Sequence, residues 1–280
     1  MNFTRVTAMY FSATGTTERT VKAIADPAAG ELGAGSACFD FTLPAVREGG
    51  FGSHGGDPTF GPEDLVVFGT PVIEGRVPNV LLKYLGTVVG GGAAAVPVVV
   101  YGNRNYDDAL IELRDILEGC GFRTAAAAAF IGEHSFSDVL AAGRPDEKDI
   151  RVAEAFGKDV AAKLKSIDEI RSPVAVKGHV PLRPYYKPRD RAGNPVNILK
   201  VKPKTDPEKC VRCMTCVQVC LMGSIDMDDV SVVSGICMKC CACVKKCPHG
   251  AKYFDDPRFL YHKRELELGY ARRAEPELFL

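Results

Sequence analysis

Apolar and polar positions along the first 170 residues alternate in blocks rather than singly. RVTAMYF, ACFDF, DLVVFG, VPVVVYG and TAAAAAFIG are short, nearly unbroken apolar runs, and all but the second lead towards a stretch of helical period. Continuous runs of this kind predict strands covered on both faces of a parallel sheet. In the segment after Tyr106, Leu110, Leu113, Ile116 and Leu117 form the stripe of an amphipathic helix. Strands and helices in alternation, joined by right-handed crossovers, predict an α/β fold with a doubly wound five-stranded parallel sheet. Residues 42–63 break the pattern. They are too rich in Gly and Pro for a crossover helix and predict a long loop between the second and third strands.

Beyond residue 170 the pattern changes twice. Residues 171–205 are proline-rich and basic, the composition of an extended, semi-rigid linker whose charge is expected to be solvated. Residues 206–256 hold most of the cysteines, and 257–280 form a charged tail expected to be helical and to pack on one of the units.

Composition narrows the function. Lys+Arg and Asp+Glu balance at 35 each, which favours neither nucleic acid nor an anionic membrane as partner. Met1 leads almost at once into strand-like sequence, without a basic and then apolar leader. The most apolar run is broken by glycines and Pro97 and falls short of the ~20 residues that span a bilayer. A cytoplasmic protein without membrane insertion is expected. Of 11 cysteines, only Cys38, Cys120 and Cys241 fall outside one repeated pattern, and these three read as small buried residues.

That pattern is C-x2-C-x2-C-x3-C, written once as Cys210, Cys213, Cys216 and Cys220, and again as Cys237, Cys240, Cys243 and Cys247, with Pro248 following. Zinc favours paired cysteines separated by a long loop, and the tripled C-x2-C spacing is uneconomical for it. In iron–sulfur runs of this spacing, three thiolates hold one cubane and the fourth reaches the other. The expected sets are Cys210, Cys213, Cys216 and Cys247 for cluster one, and Cys237, Cys240, Cys243 and Cys220 for cluster two. The module resembles bacterial two-cluster 4Fe–4S ferredoxins along its whole length, with Leu221 standing where that family usually has proline.

In the first unit, Ser12, Ala13, Thr14, Gly15, Thr16 and Thr17 sit where the first strand gives way to the first helix. Hydroxyls, a glycine and a helix N-terminus suit a phosphate, though Ser and Thr also cap helices. The stretches TPVIEGRVP after the third strand and YGNRNYD after the fourth add two more loops at strand ends. With these the unit resembles flavodoxin-like domains, and the whole chain is similar to fused flavodoxin–ferredoxin proteins of anaerobes. The resemblance implies FMN as a cofactor beside two 4Fe–4S clusters. Residues 12–17 would take its phosphate. Pro71, Val72, Ile73, Glu74, Gly75 and Arg76 would line one ring face, and Tyr101, Gly102, Asn103, Arg104, Tyr106 and Asp107 the other. Tyr106 is the expected stacking residue. His134, in EHSFS, is a further residue that could approach the ring or serve the fold.

The expected function is electron transfer between FMN, two clusters and external redox partner proteins. The alternative is a flavin-dependent reductase fed through the clusters, with Tyr101, Glu74 or His134 as proton donor. No G-x-G-x-x-G follows a strand, so a self-contained nicotinamide site is not expected.

Overall fold

The computed structural model describes residues 1–280. The first unit runs β1 (Arg5–Tyr10), α1 (Thr16–Leu32), β2 (Gly35–Asp40), a single turn α2 (Pro44–Arg47), β3 (Asp64–Pro71), a short α3 (Leu82–Leu85), β4 (Ala94–Tyr101), α4 (Ala109–Gly119), a two-residue β5 (Arg123–Thr124), β6 (Ala127–Ile131) and α5 (Glu147–Ser166). Five parallel strands lie in the order β2-β1-β3-β4-β6, and β5 adds a short pairing to β4. This is the doubly wound fold, with its switch in winding direction between β1 and β3.

The apolar runs divide their residues between two cores. On β4, Ala94, Val96, Val98 and Val100 face α1 and α5, while Ala95, Val99 and Tyr101 face α4. Each side chain has a helix to meet, which is why the run needs no polar alternation. Residues 42–63 are mainly loop, as expected, with α2 their one turn of helix.

The cysteine unit is small. Its β7 (Lys204–Thr205) and β8 (Lys252–Tyr253) pair antiparallel around two one-turn helices, α6 (Thr215–Gln218) and α7 (Ala242–Lys245). The tail is helical over α8 (Pro257–Gly269), but its end differs from the expectation. It becomes β9 (Glu277–Phe279), which adds antiparallel to β6 with Ala127 opposite Phe279. The edge of β6 offers unpaired backbone groups, and the tail fills them.

The proline-rich segment is a strap held against the first unit. Arg183 donates from Nη2 and its backbone N–H to the fully buried Asp108 at 2.8 Å each, and Tyr185 Oη donates to the Val77 carbonyl at 3.0 Å. Burial works to raise the Asp108 carboxyl, but Arg183 and His179 outweigh it and hold it well below the usual range. The strap's charge is therefore only partly solvated. No helix is long and apolar enough to cross a membrane.

Candidate functional site: a phosphate loop, a lined cavity and two sets of thiols

At the end of β1 the chain turns through Gly15, whose φ of 90° is open to glycine at little cost, and enters α1. The N–H groups of Ala13, Thr14, Gly15, Thr16 and Thr17 have no protein partner. A run of free donors at a helix N-terminus suits a phosphate. Ser12 is committed elsewhere. Its N–H donates to Thr42 Oγ1 at 2.8 Å, and its Oγ accepts the Glu18 N–H at 3.1 Å. The hydroxyl thus holds the loop against α1.

The loop opens into a cavity at the carboxyl ends of β1, β3 and β4. Ala13, Thr14, Thr16 and Thr17 line its inner part together with Pro71, Val72, Ile73, Tyr101, Gly102 and His134. The outer part adds Glu74, Gly75 and Arg104. Gly102 is required here, because a Cβ would lie 2.4 Å from His134 Cδ2. Gly75, at φ 76°, leaves room for Asp107 Oδ2, which would be 2.3 Å from a Cβ.

Four residues expected at the ring stand back from the cavity. Tyr106 is buried and its Oη donates to Glu277 Oε2 of β9 at 2.9 Å, so Tyr101 is the aromatic side chain on this wall. Arg76 forks onto Glu112 at 2.6 and 2.7 Å with its guanidinium 4.9 Å from the Tyr185 ring centre. Asn103 donates to the Tyr270 and Arg272 carbonyls at 2.7 and 2.6 Å and so fixes the tail. Asp107 pairs with Arg104 beneath Gly75. Tyr106, Arg76 and Asn103 have found partners that only the folded tail or α4 supplies, whereas Asp107 pairs within its own loop.

The cavity has walls that strand-end motifs do not reveal. Tyr186 and Pro188 of the strap, Phe136 of the loop after β6, His262 and Leu266 of α8, and Met238, Lys239 and Cys240 of the cysteine unit line its outer part. Arg104 lies 4.2 Å from the Tyr186 ring centre, and the Tyr186 and His262 rings stack at 6.3 Å. Burial pushes the imidazoles of both His134 and His262 down to about 4. His134 Nδ1 accepts the Phe136 N–H at 3.1 Å, which puts the proton of the neutral ring on Nε2. The sequence signals among these were His134 and Cys240; Tyr186 lies in a segment whose composition reads as solvated, and His262 in a tail expected only to pack on one of the units.

The cysteines fold into two matching halves. Arg212 and Met214 flank Cys213 with φ of 56° and 63°, and Lys239 and Cys241 flank Cys240 with φ of 56° and 57°. The fourth thiols match too, Cys220 accepting from Ser224 N–H and Cys247 from Ala251 N–H, each at 3.3 Å. Cys210 packs against the small apolar cluster that holds Cys216. Cys220 sits among Cys237, Cys240 and Cys243. Burial pushes the Cys240 and Cys243 thiols up to about 12, so these sulfurs give up a proton readily only in exchange for a bound cation. N–H groups aimed at sulfur are also what an iron–sulfur centre uses to set its potential. Of the cysteines outside the pattern, Cys241 is buried, Cys120 half-buried and Cys38 exposed, the last because outward-facing positions of edge strand β2 meet no helix.

The 4Fe-4S binding domain family matches residues 203–220, which covers the first cysteine run. No curated protein matches the chain. Among solved structures, a flavodoxin from the domain Archaea is 15% identical, with 57% of this chain and 99% of that one covered at a TM-score of 0.39. A Streptococcus pneumonia TIGR4 flavodoxin is 17% identical over 57% and 99%, at 0.38. An NADH:FMN oxidoreductase in its apo form is 16% identical over 61% and 95%, at 0.42. The strand order by itself defines the first unit as flavodoxin-like. The chain joins that α/β unit to a small cysteine unit whose first run matches the 4Fe-4S binding domain family.

Proposed function

We propose that the chain is an electron-transfer protein that carries FMN in the lined cavity and two 4Fe–4S clusters in the cysteine unit. Cys210, Cys213, Cys216 and Cys247 would hold cluster one; Cys237, Cys240, Cys243 and Cys220 would hold cluster two. The observation that carries the reading is Cys240. It lines the same cavity as the phosphate loop and both strand-end walls, so a cluster ligand borders the place where a flavin fits.

When bound, FMN exchanges electrons in pairs or singly and each cluster exchanges one, which lets the fusion convert between the two. The chain's own residues provide the setting. The free N–H groups of residues 13–17 bind the phosphate, and Tyr101 and the 71–75 backbone orient the ring. Tyr186, Pro188 and α8 exclude water, and neutral His134 offers an Nε2–H donor. Cluster one lies towards the outside: Cys213 is exposed and Val211 beside it is 61% exposed. Redox partner proteins would meet the chain there. No disulfide joins any of the 11 cysteines.

The strap and α8 crowd the outer part of the cavity, which weighs against the reductase alternative, since a substrate would have to fit beside Tyr186 and Pro188. An anaerobic absorption spectrum with FMN, iron and sulfide quantified tests the proposal. One FMN and two clusters per chain are expected. Substoichiometric FMN after reconstitution, or about one cluster, would overturn it. Fast flavin reduction by NADH or NADPH alone in a stopped-flow mixer would favour a reductase.

A further inference from the structure

The two halves of the cysteine unit follow one register, in which Cys220 corresponds to Cys247. Gly223 and Gly250, at φ 58° and 61°, keep the match three residues on, and Ser224 and Ala251 keep it at the next position. One step further, the halves differ in kind: Ile225 in the first corresponds to Lys252 in the second. Ile225 is 6% exposed and packs with Cys216, Val230 and Cys243. Lys252 is 3% exposed, and its Nζ reaches the carbonyl of Val230, which packs with the same two thiols, one from each cluster set.

For packing alone, this is a poor place for an ammonium. Lys252 Nζ donates to the Val230 carbonyl and forms no ion pair; Asp229, on the exposed turn before Val230, feels its charge without pairing. A buried cation without a carboxylate is costly, and the matching position is satisfied by isoleucine. The cost is offset if the counter-charge is the clusters themselves. We infer that Lys252 is a fixed positive charge shared by the two clusters, placed between them to favour the reduced form of each. This rests on the two-cluster reading above.

The physical reason is Coulombic. Each one-electron reduction adds a negative charge to a cluster with no bond made or broken, and a fixed cation in a poorly screened interior stabilises that added charge. A second cation serves a different pair. Lys239, the counterpart of Arg212, is buried, donates to the Leu199 and Cys237 carbonyls at 3.0 Å each, and lines the flavin cavity. Arg212 is exposed and donates to the Asp228 carbonyl. Lys239 therefore acts on cluster two and on the cavity, and not on cluster one.

The experiment is a redox titration of the reconstituted protein followed by electron paramagnetic resonance and absorbance, after iron, sulfide and FMN have been quantified. Failure of wild type to load two clusters sinks the two-cluster reading before Lys252 is in question. In the loaded protein, Lys252→Gln keeps a donor for Val230 but removes the charge, and both cluster potentials should become more negative. Lys252→Arg should return both towards wild type. Lys239→Gln should lower cluster two and FMN while leaving cluster one in place. Ile225→Lys, which adds a cation at the matching position, should move both clusters the other way, and it decides the matter if Lys252→Gln does not load. Unmoved potentials in either charge-changing variant of the midpoint, or a shift of only one cluster, would overturn the inference.

Discussion

The two cysteine runs share a spacing, a set of left-handed backbone turns and a pattern of N–H to sulfur contacts, yet they live in different surroundings. The first faces outwards: Cys213 is exposed, and hydrogen bonds from Thr215 hold its thiol below the ordinary value. The second is pressed into the first unit, where Cys240 borders the cavity and burial pushes its thiol up to about 12. Local sequence made the halves alike and tertiary contact made them different. Leu221 and its counterpart Pro248 show how. Leu221 is 1% exposed inside the core of the sheet unit, and its carbonyl accepts from Arg47 Nη2 at 2.5 Å. Pro248 is exposed. The leucine that departs from the ferredoxin pattern is thus one of the side chains that join the two units.

The most severe test of this contrast is to remove one ligand at a time. Cys240→Ser should abolish cluster two and with it electron passage between cluster one and FMN, while Cys213→Ser should leave the cluster two–FMN pair competent. Flavin reduction after rapid mixing with a one-electron donor reads the difference; equal rates in the two variants would erase the asymmetry. Cys247→Ser should damage cluster one and Cys220→Ser cluster two.

Stability should separate Leu221 from Pro248 next. Leu221→Ala is expected to cost ~2–4 kcal/mol as a core truncation, and Pro248→Ala to stay within about 0.5 kcal/mol as an exposed change. Denaturant melts of the loaded protein measure both.

The strap that covers the second half offers a smaller effect. Arg183→Ala strips the buried Asp108 of its main partner. A fully broken buried pair costs ~3–5 kcal/mol, and half-exposed Arg183, with His179 and the 183 N–H still bonded to Asp108, brings the expectation to about 2 kcal/mol. Faster FMN release should accompany the loss; unchanged release would mean the strap does not guard the cavity.

The smallest expected effect is a pH dependence confined to the second half's surroundings. His134 and His262 titrate near 4 in the fold, below the ordinary ~6.5 of an unfolded chain. The unfolded state therefore takes up protons first. Stability is full above pH 6.5 and falls as pH drops from 6.5 towards 4, where the folded rings also protonate. His262→Phe should flatten part of that acid slope in thermal melts, and an unchanged slope would assign it to other groups.

What the sequence determined by itself was the local and the periodic. Unbroken apolar runs alternating with a helical stripe define the doubly wound sheet, because strands buried on both faces must read that way. The cysteine spacing set out the expected triplets of each half, because three thiolates two residues apart are a local geometry. The glycine-centred turn after β1 was legible for the same reason, as were the walls at 71–75 and at Tyr101, Gly102 and Arg104, which sit at strand ends. The tertiary structure alone decided which of those residues reach the cavity. Tyr106, Arg76 and Asn103 were taken by Glu277, Glu112 and the tail carbonyls, partners distant along the chain or one element away. It alone brought Tyr186, His262 and Cys240 to one cavity from a strap, a tail helix and a second unit. Composition carries no trace of such meetings, because they depend on how the chain returns to its first sheet and not on any segment's own preference.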